Sequence, residues 1–370
     1  MTLQTTRRRV RVAAAIGALI ASVMASTAQS APISSVFDRP ATRLREPGRA
    51  SIIAFARAGK RVVALAERGA VLLSDDEGSH WRQADVPVSL TLTAAAFPTP
   101  NVGWAVGHGG VVLHTVDQGE HWTVQLDGRQ VAASALAAAK IGAGAGSEAS
   151  QRLIARAEQL VADGPDKPLL DVCFVSSTKG FVVGAYGVML ETTDAGRSWN
   201  YLGDRLDNPK GLHLNAIQCD GSTVVVAGEQ GVLLRSTDGG ASFARLSSPY
   251  RGSLFGLAIE SSASMTVAGL RGNAFHTSDA GVTWQRIDLR TQANVTVLSP
   301  QQDGRWLLAT QAGDVFLSVD RGHSFQRAQA QQIPRASSAL LLADGTLLVG
   351  SAAGAFKAAS GAEPIPKVSQ

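Results

Sequence analysis

The chain has 370 residues, 45% of them hydrophobic, with 34 Lys and Arg against 30 Asp and Glu and only two cysteines. That much apolar material supports a large buried core. Four of the cations (Arg7, Arg8, Arg9 and Arg11) fall in the first thirty residues, which hold no acid, so the rest is near neutral and its charge gives no reason to expect nucleic acid.

The N-terminus opens on those arginines, continues as an apolar run from Val12 to Ala25, and ends in small residues around Ala28, Ser30 and Ala31. A basic start, a short apolar middle and an A-x-S-like end predict a secretory signal peptide over 1–30, hence a periplasmic protein. The run is too short and too Ala-rich to span a hydrocarbon core of ~30 Å. Ser34 to Leu44 follows as an unassigned segment of strand length.

From there the chain repeats. A pattern of Ser or Thr, x, Asp, x, Gly, x, x, aromatic occurs six times, starting at Ser74, Thr115, Thr192, Ser236, Thr277 and Ser318. Its glycines are Gly78, Gly119, Gly196, Gly240, Gly281 and Gly322, spaced by 41, 77, 44, 41 and 41 residues. Within the fourth unit, Leu212 to Ile217, Val224 to Val226, Val232 to Arg235 and Phe243 to Leu246 are short apolar or β-branched runs separated by Gly turns. Each is a strand signal, and four-stranded units at this period are propeller blades. Complete units span 49–86, 90–127, 169–203, 212–247, 253–288 and 293–328. A seventh starts at Ala336, offers three strands and lacks the motif. The expectation is an all-β, seven-bladed β-propeller over 31–358, its last blade completed by an N-terminal strand from Ser34 to Leu44. A disordered tail at 359–370 follows.

The long spacing marks an insertion at 130–168, between blades two and three. Val131 to Lys140 is Ala-rich. Leu153, Ile154, Ala157, Leu160 and Val161 recur at helical spacing, and Gly164 offers a stop, so the insertion reads as a helical hairpin. Its apolar stripe either packs on the propeller rim or serves as a docking arm. Cys173 and Cys219 fall on predicted inner strands of neighbouring blades, where they either pair or stay as buried thiols.

The repeated aspartates invite a catalytic or metal reading, which the pattern opposes. Asp76, Asp117, Asp194, Asp238, Asp279 and Asp320 cap six separate hairpins, where carboxylate and hydroxyl bond backbone N–H groups of the turn. Six positions spread around a ring cannot converge on one substrate. His80, His121 and His323 sit at variable turn positions. His108, His114, His213 and His276 lie in different blades with no ligand spacing. The expectation is no catalytic residue, no metal and no cofactor.

These Asp-box repeats resemble the bacterial neuraminidase repeat of sialidases and several non-enzymatic propellers. Sialidase-like catalysis would need an arginine trio, an early Arg-Ile-Pro-like motif and a Tyr beside a Glu. Here Gln332-Ile333-Pro334 lacks the arginine and comes late, and none of Tyr186, Tyr201 and Tyr250 adjoins a glutamate. Gly103 to Gly107 followed by Gly110 to Leu113, and Gly180 to Gly184 followed by Gly187 to Leu190, more closely resemble the photosystem II stability and assembly factor family over 49–358. That resemblance implies a non-catalytic assembly or accessory factor gripping a membrane-protein complex. The alternative it leaves is a glycan-binding or degenerate sialidase-like propeller.

In a propeller the turns between second and third strands share one face with the connections between blades, around the channel entrance. That face is expected to carry Arg68, His108, Tyr186 and Arg271 on turns, and Lys210, Arg251, Arg290 and Arg335 on connections. Such a cationic ring would attract an acidic protein segment. The expected partner is an exported segment of a membrane protein, with no nucleic acid.

Overall fold

The computed structural model describes residues 35–142, 147–301, 303–328 and 336–359. The predicted signal peptide, Arg335 and all but the first residue of the predicted tail lie outside the described residues. Seven antiparallel sheets form, six four-stranded and one three-stranded, each in sequence order. The first strands of the blades are Ile52–Ala58, Leu92–Ala96, Leu169–Phe174, Leu214–Asp220, Leu254–Ile259, Val295–Pro300 and Ala336–Leu341. They pack side by side in that order, and the last packs on the first. This is the expected seven-bladed propeller, closed so that no sheet face is left uncovered.

The second strands explain why the ring holds. Gly180–Gly184 and Thr223–Gly228 are buried along their whole length, because each lies inside its sheet and is covered by neighbouring blades on both faces. Such strands read as continuous apolar runs rather than alternating ones. Apolar clusters accordingly bridge pairs of blades, such as Phe181, Val183 and Met189 of blade three with Leu214, Val226 and Leu234 of blade four.

Blade seven departs from expectation. It has three strands, Ala336–Leu341, Leu347–Ser351 and Gly354–Ala358, and the described part of Ser34 to Leu44 joins none of them. That segment instead bonds the connection between blades one and two, through Ala41 N to Val86 O at 3.0 Å and Ser89 N to Val36 O at 3.0 Å. Phe37 and Ala41 pack there against the core of those blades, and Pro40 denies the segment a full hydrogen-bond ladder. The ring closes through blade seven and blade one directly. Ser337 Oγ donates to Ile52 O at 2.5 Å, and Phe55 N donates to Ser338 Oγ at 2.9 Å.

The insertion forms helices α1 (Gly128–Gly142) and α2 (Glu148–Ala162). Asp127 caps α1, accepting from Arg129 N at 2.9 Å, and Ser147 caps α2, accepting from Ser150 N at 3.2 Å. Val131, Ala135, Ala139, Ala157 and Leu160 are buried together with Leu126, Leu169, Trp199 and Tyr201 of blades two and three. The apolar stripe is spent on the propeller itself. The Arg156 guanidinium fastens the hairpin further, donating to Tyr186 O and to Asn208 O.

Candidate partner-binding face

The six aspartate hairpins are built alike. In blade four Ser236 Oγ donates to Asp238 Oδ1 at 2.7 Å, Gly240 N donates to Ser236 Oγ at 2.8 Å, and Ser242 N donates to Asp238 Oδ1 at 3.0 Å. These donors hold the Asp238 carboxyl well below the usual carboxylate range. At the equivalent place in blades one and two, His80 and His121 bond Asp76 and Asp117 through Nδ1, at 2.5 and 2.7 Å. Asp194, Asp279 and Asp320 repeat the arrangement with Ser198, Thr283 and Ser324. Every such carboxylate is occupied by its own turn. Among the described residues no cluster of three or more His, Cys, Asp or Glu is placed to hold a metal ion.

The opposite face carries the connections. In six blades the first residue of the turn between second and third strands donates to the residue just before the inner strand: Glu67 to Ser51, His108 to Thr91, Ala185 to Pro168, Glu229 to His213, Leu270 to Ser253 and Gln311 to Asn294, all within 2.8–3.3 Å. In five of the six the next residue takes a left-handed backbone. Arg68, Tyr186, Gln230 and Arg271 have φ of 56°, 58°, 51° and 57°, a conformation that costs non-Gly residues energy. The Gly after each presses on the incoming connection. A Cβ on Gly69 would lie 2.1 Å from Val88 O, and one on Gly231 2.0 Å from Tyr250 O. Fixed turns therefore present Arg68, Tyr186 and Arg271 in repeat-related positions, with His108 beside them one residue earlier in its own turn.

Lys210, Arg251 and Arg290 stand exposed on connections that lead to inner strands starting at Leu214, Leu254 and Val295. Ion pairs on this face include Arg129 with Asp127, Lys167 with Asp166 and Arg290 with Asp288 at 3.7 Å, and Glu229 accepts from His213 N at 2.9 Å. Arg68, Lys210, Arg251 and Arg271 stand outside them. The fold thus brings seven of the eight expected residues to one face, interspersed with acids rather than as an unbroken ring. The eighth, Arg335, lies outside the described residues. Lys167 adds to the face by sitting 5.3 Å over the Tyr186 ring, whose centroid lies 5.0 Å from that of His213.

Sequence reading missed the residues at the channel mouth. Every inner strand carries a β-bulge at its second residue: Ile53, Thr93, Leu170, Asn215, Phe255, Thr296 and Ser337. Four are polar and serve the joints between blades. Thr93 donates to Leu169 O at 2.7 Å, Asn215 to Leu254 O at 2.9 Å, Thr296 to Ala336 O at 3.0 Å, and Ser337 to Ile52 O as above. Where the bulge residue is apolar, the joint is held elsewhere. Blades one and two are tied by Arg61 and Arg82 on Glu120, and blades five and six by Arg321 on Glu260 at 3.3 Å.

Blades three and four are joined twice. A disulfide links Cys173 to Cys219, with Cα atoms 5.8 Å apart, which decides the open question of the thiols. Two residues earlier on each strand, Asp171 Oδ2 accepts from Ile217 N at 2.8 Å, while Oδ1 accepts from Val172 N. Burial pushes Asp171 up to about 7, although both amides favour its charged form. The signal for the bulges was present as a repeat, one position into each inner strand, but it alternates between polar and apolar and so hides from a motif search.

The family model of "Photosynthesis system II assembly factor YCF48" matches residues 155–346. No curated protein matches the chain. Among solved structures, one of YCF48 from Cyanidioschyzon merolae is 12% identical, covers 86% of this chain and 96% of that one, and has a TM-score of 0.57. A streptogramin B lyase structure, 11% identical, covers 88% and 99% with a TM-score of 0.62. One described as YCF48 bound to D1 peptide is 18% identical over 52% of this chain and 67% of that one, with a TM-score of 0.43. At such identities the first two structures speak for the propeller alone, and a lyase as one of them shows how little the fold says about chemistry. The family match covers more than half the chain, and the chain belongs to the photosynthesis system II assembly factor YCF48 family.

Proposed function

We propose that this protein is a non-catalytic, exported assembly or accessory factor that grips an acidic, exported segment of a membrane-protein complex on its connection face. The observation that carries the reading is the set of cations without an ion pair among the described residues, Arg68 and Arg271 on turns that the repeat shapes alike and Lys210 and Arg251 on connections between blades. A guanidinium fork can engage a carboxylate through two N–H donors at once. Membership of an assembly factor family supports a protein partner. A periplasmic location is supported by the basic and apolar N-terminus and by the Cys173–Cys219 disulfide, a bond kept in oxidising compartments.

The test is affinity capture from the crosslinked native envelope, comparing wild type with Arg68→Glu/Arg251→Glu/Arg271→Glu. Recovery of one membrane-protein complex by wild type and its loss in a folded triple variant is expected. Equal recovery by both would move the contact off this face.

A further inference from the structure

The three apolar bulge residues have no structural duty that the joints require. Thr93, Asn215, Thr296 and Ser337 use their polar atoms to bond the next blade. Ile53, Leu170 and Phe255, in blades one, three and five, bond nothing and stand at the channel mouth, where the inner strands begin on the connection face. Phe255 keeps 39% of its surface exposed. A large apolar side chain left open on a position that its counterparts fill with Thr, Asn and Ser marks an interaction surface. Gly256 next to it is required by packing, since a Cβ there would lie 2.7 Å from Leu298 Cβ. Phe255 is held at the mouth by that close approach.

Below the mouth the channel encloses about 450 Å³, room for an inserted side chain. Its walls carry Ala54, Ala94, Val172, Ala216 and Val297 beside the polar Gln218, Ser299 and Ser338, and Asp171 is the one charged group among the lining residues described. Arg251 lies on the connection four residues before Phe255, and Lys210 lies four residues before the Leu214 strand. Three apolar side chains set in this mixed lining, with cations on the connections around them, fit an acidic, extended protein segment that places one apolar side chain in the channel.

Resting on the reading of the face given above, we infer that Ile53, Leu170 and Phe255 form an apolar subsite at the channel mouth that selects partner segments carrying an aliphatic or aromatic residue between acidic ones. The cations set affinity and its salt dependence, and the collar sets which acidic segments bind.

The probes are three short synthetic peptides: an acidic one with a single central leucine, the same with serine, and a neutral one with leucine. Each is titrated into the full chain at two salt concentrations, with Phe255→Ser, Arg251→Glu and, on the opposite face, Val282→Ser as variants. Phe255 is open enough that its serine variant folds. The acidic leucine peptide should bind at least about tenfold more tightly than the serine peptide. That gap should close in Phe255→Ser, persist in Val282→Ser, and survive salt while both affinities fall. Equal binding of the two acidic peptides would overturn the subsite and leave the cationic face standing. Binding indifferent to salt and to Arg251→Glu, or no binding of any probe, would remove the face and the subsite together. A concentration-dependent dimer abolished by Phe255→Ser would put a second copy of the chain in the mouth and refute the inference.

Discussion

Replacing Cys173 and Cys219 together by alanine cuts the covalent tie between blades three and four and leaves the Asp171 to Ile217 bond in place. The disulfide closes a loop of 46 residues. In the chain-entropy account, releasing a loop of that size from the unfolded ensemble costs about 4 kcal/mol. With an unfolding entropy of roughly 2.1 cal/mol/K per residue over about 325 folded residues, the melting temperature falls by about 6 °C. Differential scanning calorimetry of wild type and variant, each with and without a dithiol reductant, reads this directly. Reductant should lower the wild type to the variant's melting temperature and leave the variant unmoved. A variant that melts within about one degree of wild type would show that the inner-strand packing alone fixes this joint. A variant that reductant still destabilises would show that the effect has nothing to do with the bond.

The remaining predictions concern the joints, the turns and the insertion. Gly240 has φ 91° and would place a Cβ 2.2 Å from Phe181 Cζ, whereas Gly304 has φ 84° with open space around it. Gly240→Ala should therefore cost on the order of 3 kcal/mol and Gly304→Ala only about 1, and urea denaturation that ranks them equally would refute the packing explanation. His276 is buried, its ring tilted against that of His323 with centroids 3.9 Å apart, near Glu260, Arg321 and Asp320. Burial, with the His323 charge, holds its imidazole below the usual value. The unfolded chain therefore binds more protons, so stability is lost as pH falls from about 6.5 toward the folded pKa. Thermal melts from neutral to mildly acid pH should show a shallower loss in His276→Asn, and an unchanged slope would contradict the assignment. For Asp171 the sign is opposite. Its raised pKa gives stability that is whole below about pH 4 and lost as pH rises through about 7. Melts of Asp171→Asn should lose that component, and retention of it would place the titration elsewhere. On the insertion, Leu160→Ala should cost about 2–3 kcal/mol, while Ile141→Ala, at a residue 84% exposed, should be nearly silent. Equal effects would mean that the stripe does not pack on the blades.

Much of this architecture is legible in the residues. The spacing of Gly78, Gly119, Gly196, Gly240, Gly281 and Gly322 counts six blades, because a turn that needs two successive left-handed residues leaves a Gly at a fixed place in each. The Asp–Ser/Thr pairing inside those hairpins is local chemistry and follows from the motif. The helical hairpin follows from its period, with ends within two or three residues of Gly128–Gly142 and Glu148–Ala162. Ring closure was not legible. Nothing in Ser34 to Leu44 distinguishes a strand completing blade seven from a segment lying on the connection between blades one and two, since that choice depends on where Phe37 finds a core. The disulfide had to await the 5.8 Å approach of two strands distant in sequence. The candidate face was half legible. Its turn residues follow from the repeat, but the division of labour at the bulges, with Thr93 and Ser337 as joints and Ile53 and Phe255 as open collar, exists only once neighbouring blades are in place.

The most direct measurement is site-specific photo-crosslinking in the native envelope, with a photo-reactive residue in place of Arg271 on the connection face or of Val282 on the aspartate-hairpin face. The Arg271 position should crosslink to an exported segment of one membrane-protein complex, and the Val282 position to nothing in common with it. Crosslinks to that complex from the Val282 position alone would contradict the central claim.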